Sequence, residues 1–170
     1  MDSPHIMLTG ASRGIGAAAM AALKAQGARV AGHATTARDG LIGGDLADPA
    51  AARSLWSTAL EQLDGRIDVL VNNAGVFEDN PLDSDDDVWD AQWARGLQIN
   101  LKAAADLSRA AIRHWLDEGR GGRIVNVASR AGHRGDSPAH WHYAAAKAGM
   151  IAMTKTIARG YAGQGILAYA

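Results

Sequence analysis

Short apolar runs alternate along the chain with longer, alanine-rich segments. His5–Leu8 and the stretches 29–33, 68–72 and 123–127 are only four or five residues long and read as buried strands, with 41–43 as a weaker candidate. The segments between them read as helices. Residues 16–26 are alanine-rich and closed by Gly27, 49–63 open after Asp48 as a candidate cap, and 88–118 are long enough for several turns of one helix. Strand and helix in regular alternation predict an α/β fold, a doubly wound parallel sheet with helices on both faces, because parallel strands need crossovers. The last run, 165–170, reads as a strand just beginning. A domain seldom stops on such a run, so further strands are expected to follow.

Composition narrows the chemistry. At 170 residues and 48% hydrophobic the chain has the size and core of one domain, 1–170, and its net charge of −1 suggests neither nucleic acid nor an anionic membrane as a partner. There is no cysteine, which excludes disulfides, thiolate metal ligands and cysteine nucleophiles and fits a reducing cytoplasm. No signal peptide or membrane span is legible, so the protein is expected to stay where it is made.

Near the start stands Thr9-Gly10-Ala11-Ser12-Arg13-Gly14-Ile15-Gly16, placed between a strand and a helix. In that context glycines allow a tight turn and let a pyrophosphate approach a helix N-terminus. The spacing Gly-x-x-x-Gly-x-Gly departs from the commoner Gly-x-Gly-x-x-Gly fingerprint. Further on, Tyr143 and Lys147 stand four residues apart, so on a helix the phenol and the ammonium project from one face. A cation there favours the phenolate and suits the hydroxyl to proton transfer near neutral pH.

With Asn72-Asn73-Ala74-Gly75 after a strand, Asn100 in the long helix, and Ser129 before Tyr143 and Lys147, these motifs make the chain resemble the short-chain dehydrogenase/reductase family, bacterial 3-oxoacyl-thioester reductases included. The resemblance implies a Rossmann-like fold and an oxidoreductase exchanging hydride between a nicotinamide dinucleotide and a ketone or secondary alcohol. It implies Tyr143 as acid and base, Lys147 as the group that lowers the tyrosine's pKa and holds the nicotinamide ribose, Ser129 on the substrate oxygen, and Asn100 in a proton relay. Gly10, Ser12, Arg13, Gly14, Ile15 and Gly16 would cradle the cofactor together with Asn73, Ala74, Gly75, Tyr143 and Lys147. Asp45, with Leu46 beside it, would accept from the adenine amino group, or else serve as a turn aspartate. A homodimer or homotetramer is implied as well. The family normally continues through another strand, a Pro-Gly turn and a substrate lid.

Cofactor choice turns on the end of the second strand. An acid there would favour NAD, but Ala34 and Thr35 occupy it, with Arg13 and Thr35 or Thr36 as candidate phosphate ligands and Arg38 as a further one, so NADP is expected. Asp39 would reverse this toward NAD if the chain folds back. Only about a dozen residues separate that strand from Asp45, so the helix expected between them is lost.

Several features take other readings. Ser129 is read as ending its strand, fourteen positions before Tyr143 and one more than the family's commonest spacing. The intervening loop, with His140 and His142, is expected to border the substrate, and no metal site is expected, because the histidines lack cysteine or carboxylate partners. The acidic run 78–87 reads as helix capping, not a calcium loop. Trp89 and Trp93, one turn apart, read as core or interface. A serine hydrolase lacks its nucleophile elbow. A non-catalytic dinucleotide-binding or scaffold protein is the rival from another class.

Overall fold

The computed structural model describes residues 3–170. Six parallel strands form one sheet in the spatial order β3-β2-β1-β4-β5-β6. They are β1 (His5–Leu8), β2 (Arg29–Ala34), β3 (Ile42–Gly43), β4 (Val69–Asn72), β5 (Gly122–Asn126) and β6 (Ile166–Tyr169). The order reverses at β1, so the connections leaving β1 and β4 run to opposite faces of the sheet and open a crevice at the strands' carboxyl ends, where such sheets place ligands. The helices are α1 (Gly14–Ala25), α2 (Ala51–Gln62), α3 (Asp86–Leu97), α4 (Ala103–Asp117), the four-residue α5 (Ala131–Arg134) and α6 (Trp141–Tyr161).

Alternation along the strands sorts the layers. Met7, Ala31, Leu70, Ile124 and Ile166 point to one face and pack with Leu55, Trp56 and Ala59 of α2 and Leu107, Ala111 and Trp115 of α4. Trp115 is fully buried, and its indole donates to the Ile67 carbonyl at 2.6 Å, so the ring's large apolar area is removed from water without orphaning its N–H. On the same face Asn126 donates to Thr154 of α6 at 2.8 Å. The opposite face receives α1, whose Met20 sulfur lies against Gly32 of β2.

Two expectations need correction. The long helix over 88–118 begins at Asp86 and is interrupted: Gln98–Lys102 form a π turn between α3 and α4. The final run does form a strand, pairing with β5 from Gly122↔Ile166 to Val125↔Tyr169. Asp48 does not cap α2 at the N-cap position, which is Ala50; its carboxylate instead accepts from the Ala50 N–H at 2.8 Å in the turn before the helix. The acidic residues Asp86 and Asp87 do sit in the first turn of α3, where the helix dipole favours them. Among the described residues no helix is long and apolar enough to cross a membrane.

Candidate active site

The glycine loop is braced against the segment after β4. Thr9 Oγ1 accepts from the N–H groups of Asn73 and Ala74, both at 3.0 Å, while Asn73 Nδ2 donates to the carbonyls of Thr9 and Gly10 at 3.0 and 3.1 Å. The backbones come so close that a Cβ at Gly16 would stand 2.0 Å from the Gly10 carbonyl, and one at Gly10 2.8 Å from Ala74 Cα. Gly14, at φ +54°, has nothing within 4 Å of a built Cβ and faces open space at the start of α1. Arg13, the N-cap residue, makes no side-chain cap, which leaves first-turn amides of α1 for an anion.

This loop forms one wall of a crevice of about 310 Å³. Gly10, Ser12, Arg13, Gly14, Ile15, Gly16, Thr35, Asp45, Leu46, Asn73, Ala74 and Gly75 all line it. Glycines at the points of closest approach, open space over Gly14 and free helix amides fit a dinucleotide's pyrophosphate. Thr36, Arg38 and Asp39 are not in its walls. Arg38 to Leu41 close a tight turn instead, with Asp39 at φ 49° and Gly40 at φ 75°, and no helix links β2 to β3. Asp45 serves as both candidate ligand and turn residue: Oδ1 accepts from the Ala47 N–H at 2.9 Å while the exposed side chain borders the crevice.

Besides the apolar Val76 and Ile99, two polar crevice residues escape sequence reasoning. Arg95 of α3 reaches the rim and pairs with Glu78 at 3.3 Å, a contact set by tertiary approach. His33, near the end of β2, is only 3% exposed; a lone histidine in an apolar strand reads as core.

At the other end of the crevice the π turn carries Asn100, which is fully buried. A π turn widens the helix by one residue and commonly marks a functional position. Asn100 Oδ1 accepts from the Val76 N–H at 2.9 Å and Nδ2 donates to the Val76 carbonyl at 3.0 Å. A Cβ on the adjoining Gly75 would lie 2.9 Å from Asn100 Oδ1 and 3.7 Å from Lys147 Nζ, so only glycine fits between them.

Tyr143 and Lys147 of α6 line a cavity of about 190 Å³ with Asn73, Gly75 and Phe77; Ile15, Asn73, Gly75 and Val76 border both it and the larger crevice. Lys147 is 4% exposed, its ammonium 5.8 Å from the Tyr143 ring centroid and donating to the Val127 carbonyl at 2.8 Å. Burial lowers its pKa from the ordinary lysine value. Phe77 stands edge-on to Tyr143 at 4.8 Å and stacks flat on His140 at 3.7 Å. His140 is held by Ser137 Oγ at 2.6 Å from Nδ1, and Asp79 lies 3.1 Å from Nε2. His142 is turned inward toward Gly96, its pKa lowered by burial and then by His140. Trp89 packs on Trp93 at 6.3 Å and edge-on to Trp141 at 5.5 Å, forming an aromatic cluster between α3 and α6.

Ser129 does not end its strand. β5 stops at Asn126, and Ser129 lies in the following loop, where its hydroxyl accepts from the Ala131 N–H at 3.1 Å. It lines a separate cavity of about 730 Å³ that shares Val127 and Ala128 with the Tyr143 cavity.

Residues 4–170 match the family described as short chain dehydrogenase. The 3-oxoacyl-(acyl-carrier-protein) reductase FabG of Escherichia coli K12 is 37% identical over 172 residues, covering 94% of this chain and 68% of that protein. A candidate short-chain alcohol dehydrogenase of Sinorhizobium meliloti 1021 superposes with a TM-score of 0.87 at 33% identity, over 99% of this chain and 70% of that one. A 4-hydroxyisoleucine dehydrogenase complexed with NADH gives 0.85 at 28% identity, over 98% and 73%.

Proposed function

The chain belongs to the short-chain dehydrogenase family of NAD(P)-dependent oxidoreductases, and within it we propose an enzyme that exchanges hydride between NADP(H) and a ketone or secondary alcohol. The observation that carries this reading is the meeting of Tyr143 and Lys147 on a cavity that shares Ile15, Asn73 and Gly75 with the glycine-lined crevice. When bound, the nicotinamide supplies or accepts the hydride.

Tyr143 delivers its hydroxyl proton to the substrate oxygen, or takes one from an alcohol. Its ring is held edge-on by Phe77, and its hydroxyl makes no hydrogen bond to another described residue. Lys147 is fixed by the Val127 carbonyl beside the Tyr143 ring and is assigned to hold the nicotinamide ribose. Asn100 acts through the segment at Val76, keeping Gly75 clear of the lysine. Ser129 is assigned to the substrate oxygen: its oxygen accepts from the Ala131 N–H, which leaves the hydroxyl proton free to donate. The loop with His140, against Phe77, forms the substrate side, and 3-oxoacyl thioesters are the first class to examine, given the reductase similarity.

NADP is favoured by Arg13 and Thr35 lining the adenosine end while Asp39 stays outside it. The NADH-bound neighbour supports NAD as the second reading. The half-buried tryptophans between α3 and α6, with Trp141 50% exposed, support a homodimer or homotetramer. The test is oxidation of NADPH and of NADH against oxoacyl thioesters, sugars, steroids and small ketones. Turnover with NADPH is expected; turnover with NADH alone favours the second reading, and dinucleotide binding without turnover favours a scaffold.

A further inference from the structure

The crossover from β2 to β3 consists of the seven residues 35–41 and contains no helix. The corner at Gly44 and Asp45 therefore lacks the packed helix that such a connection normally lays beneath it. Three hydrogen bonds hold the corner instead: Gly44 N–H to the Ala34 carbonyl at 3.0 Å, Gln98 Nε2 to the Leu46 carbonyl at 3.3 Å, and His33 Nε2 to the Gly44 carbonyl at 2.7 Å.

His33 has a second contact. Its Nδ1 accepts from the N–H of Gly10, the first glycine of the loop, at 3.2 Å, while the His33 carbonyl accepts from the Ala11 N–H at 2.7 Å. A backbone N–H can only donate and a carbonyl can only accept, so these partners define one state of the ring: neutral, with its proton on Nε2.

We propose that His33 is a positioning residue of the dinucleotide site, a neutral imidazole strut that fixes the glycine loop relative to the Asp45 corner and loosens when protonated. The inference rests on the reading of the crevice as the dinucleotide site. A proton on Nδ1 would face the Gly10 N–H and push the loop away from the strand end. Burial lowers the His33 pKa, opposed by the Gly44 carbonyl and by the Asp45 charge, so the neutral strut persists through neutral pH. Asp45 is the acid facing the ring, Arg13 and Arg95 are the cations lining the same crevice, and the adjoining Leu8, Thr9 and Ile42 of the sheet are uncharged.

Two measurements test this. In nitrogen NMR of the unliganded chain at about pH 7, His33 is expected as the neutral tautomer protonated on Nε2; a protonated Nδ1 overturns the proposal. Calorimetric titration with oxidised dinucleotides at about pH 8 and about pH 5.5 then compares wild type with His33→Asn, whose amide oxygen can accept from Gly10 without titrating. Wild type is expected to lose more affinity than the variant between the two conditions, by less than about tenfold because the His33 pKa lies below its ordinary value. Equal losses overturn the strut. If His33→Asn does not fold, His33→Gln, which keeps a donor for Gly44, takes its place. Failure of wild type to bind at about pH 8 removes the dinucleotide reading itself, whereas binding with equal pH dependence removes only the role of His33.

Discussion

Asn100 grips the backbone of Val76 with both ends of its amide, accepting from its N–H at 2.9 Å and donating to its carbonyl at 3.0 Å. The grip joins the π turn to the segment after β4, and it leaves no room for a side chain at Gly75 between Asn100 and Lys147. The polar group in the helix thereby shapes the Gly75 edge of the cavity that Tyr143 and Lys147 line.

Asn100→Ala would leave two part-buried backbone groups of Val76 without their protein partner, each costing about 1 kcal/mol because water in the adjoining crevice compensates in part. For a chain of this size that lowers the melting temperature by about 2–4 °C per kcal/mol. Calorimetry is expected to show a fall of that order, with catalytic rate falling as well; an unchanged melting temperature would mean the grip carries no stability.

Two glycines of one loop should respond differently. Gly16→Ala puts a methyl 2.0 Å from the Gly10 carbonyl and is expected to abolish dinucleotide binding. Gly14→Ala meets no atom and costs only the positive φ, about 1 kcal/mol, so the fold survives. Equilibrium binding of both variants checks the contrast.

Arg13 is expected to discriminate between dinucleotides, because a guanidinium pairs with a phosphate but gains little from a ribose hydroxyl. Arg13→Ala should reduce the ratio of NADP to NAD affinity by about tenfold or more, the loss falling mainly on NADP. An unchanged ratio would shift the assignment to Thr35.

At the opposite end of the sheet Asp68 sits 20% exposed among Arg66, Arg120 and the His5 N–H. Burial alone would raise its pKa, but the hydrogen bonds from Arg66 and His5 and the charges of Arg66 and Arg120 outweigh it, and the net direction is down. A carboxylate with a depressed folded pKa contributes stability above its unfolded value of about 3.9, and that contribution is lost as pH falls through the folded value. Asp68→Asn should be less stable at neutral pH and should lose less stability on acidification; denaturant melts across the acid range test this.

Much of the sheet is legible because short apolar runs flanked by turns report strands directly, and because the glycine and asparagine motifs fall at strand ends while the Tyr143–Lys147 pair falls on a helix. The missing helix between β2 and β3 followed from residue count alone. The π turn did not: it depends on Asn100 meeting Val76, a tertiary contact that leaves no trace in the periodicity of 88–118. Ser129 was placed at a strand end because Val127 and Ala128 continue the apolar run, whereas pairing with β4 stops at Asn126. His33 was silent for a similar reason, since its meaning comes from Gly10 and Gly44, brought to it by the fold.

The most direct test of the central claim is the turnover of Tyr143→Phe with NADPH and a carbonyl that the wild type reduces, dinucleotide affinity being measured in parallel. Loss of the hydroxyl should lower kcat by about a hundredfold or more while affinity stays within about twofold. Undiminished kcat would contradict the assignment of Tyr143 as the proton donor.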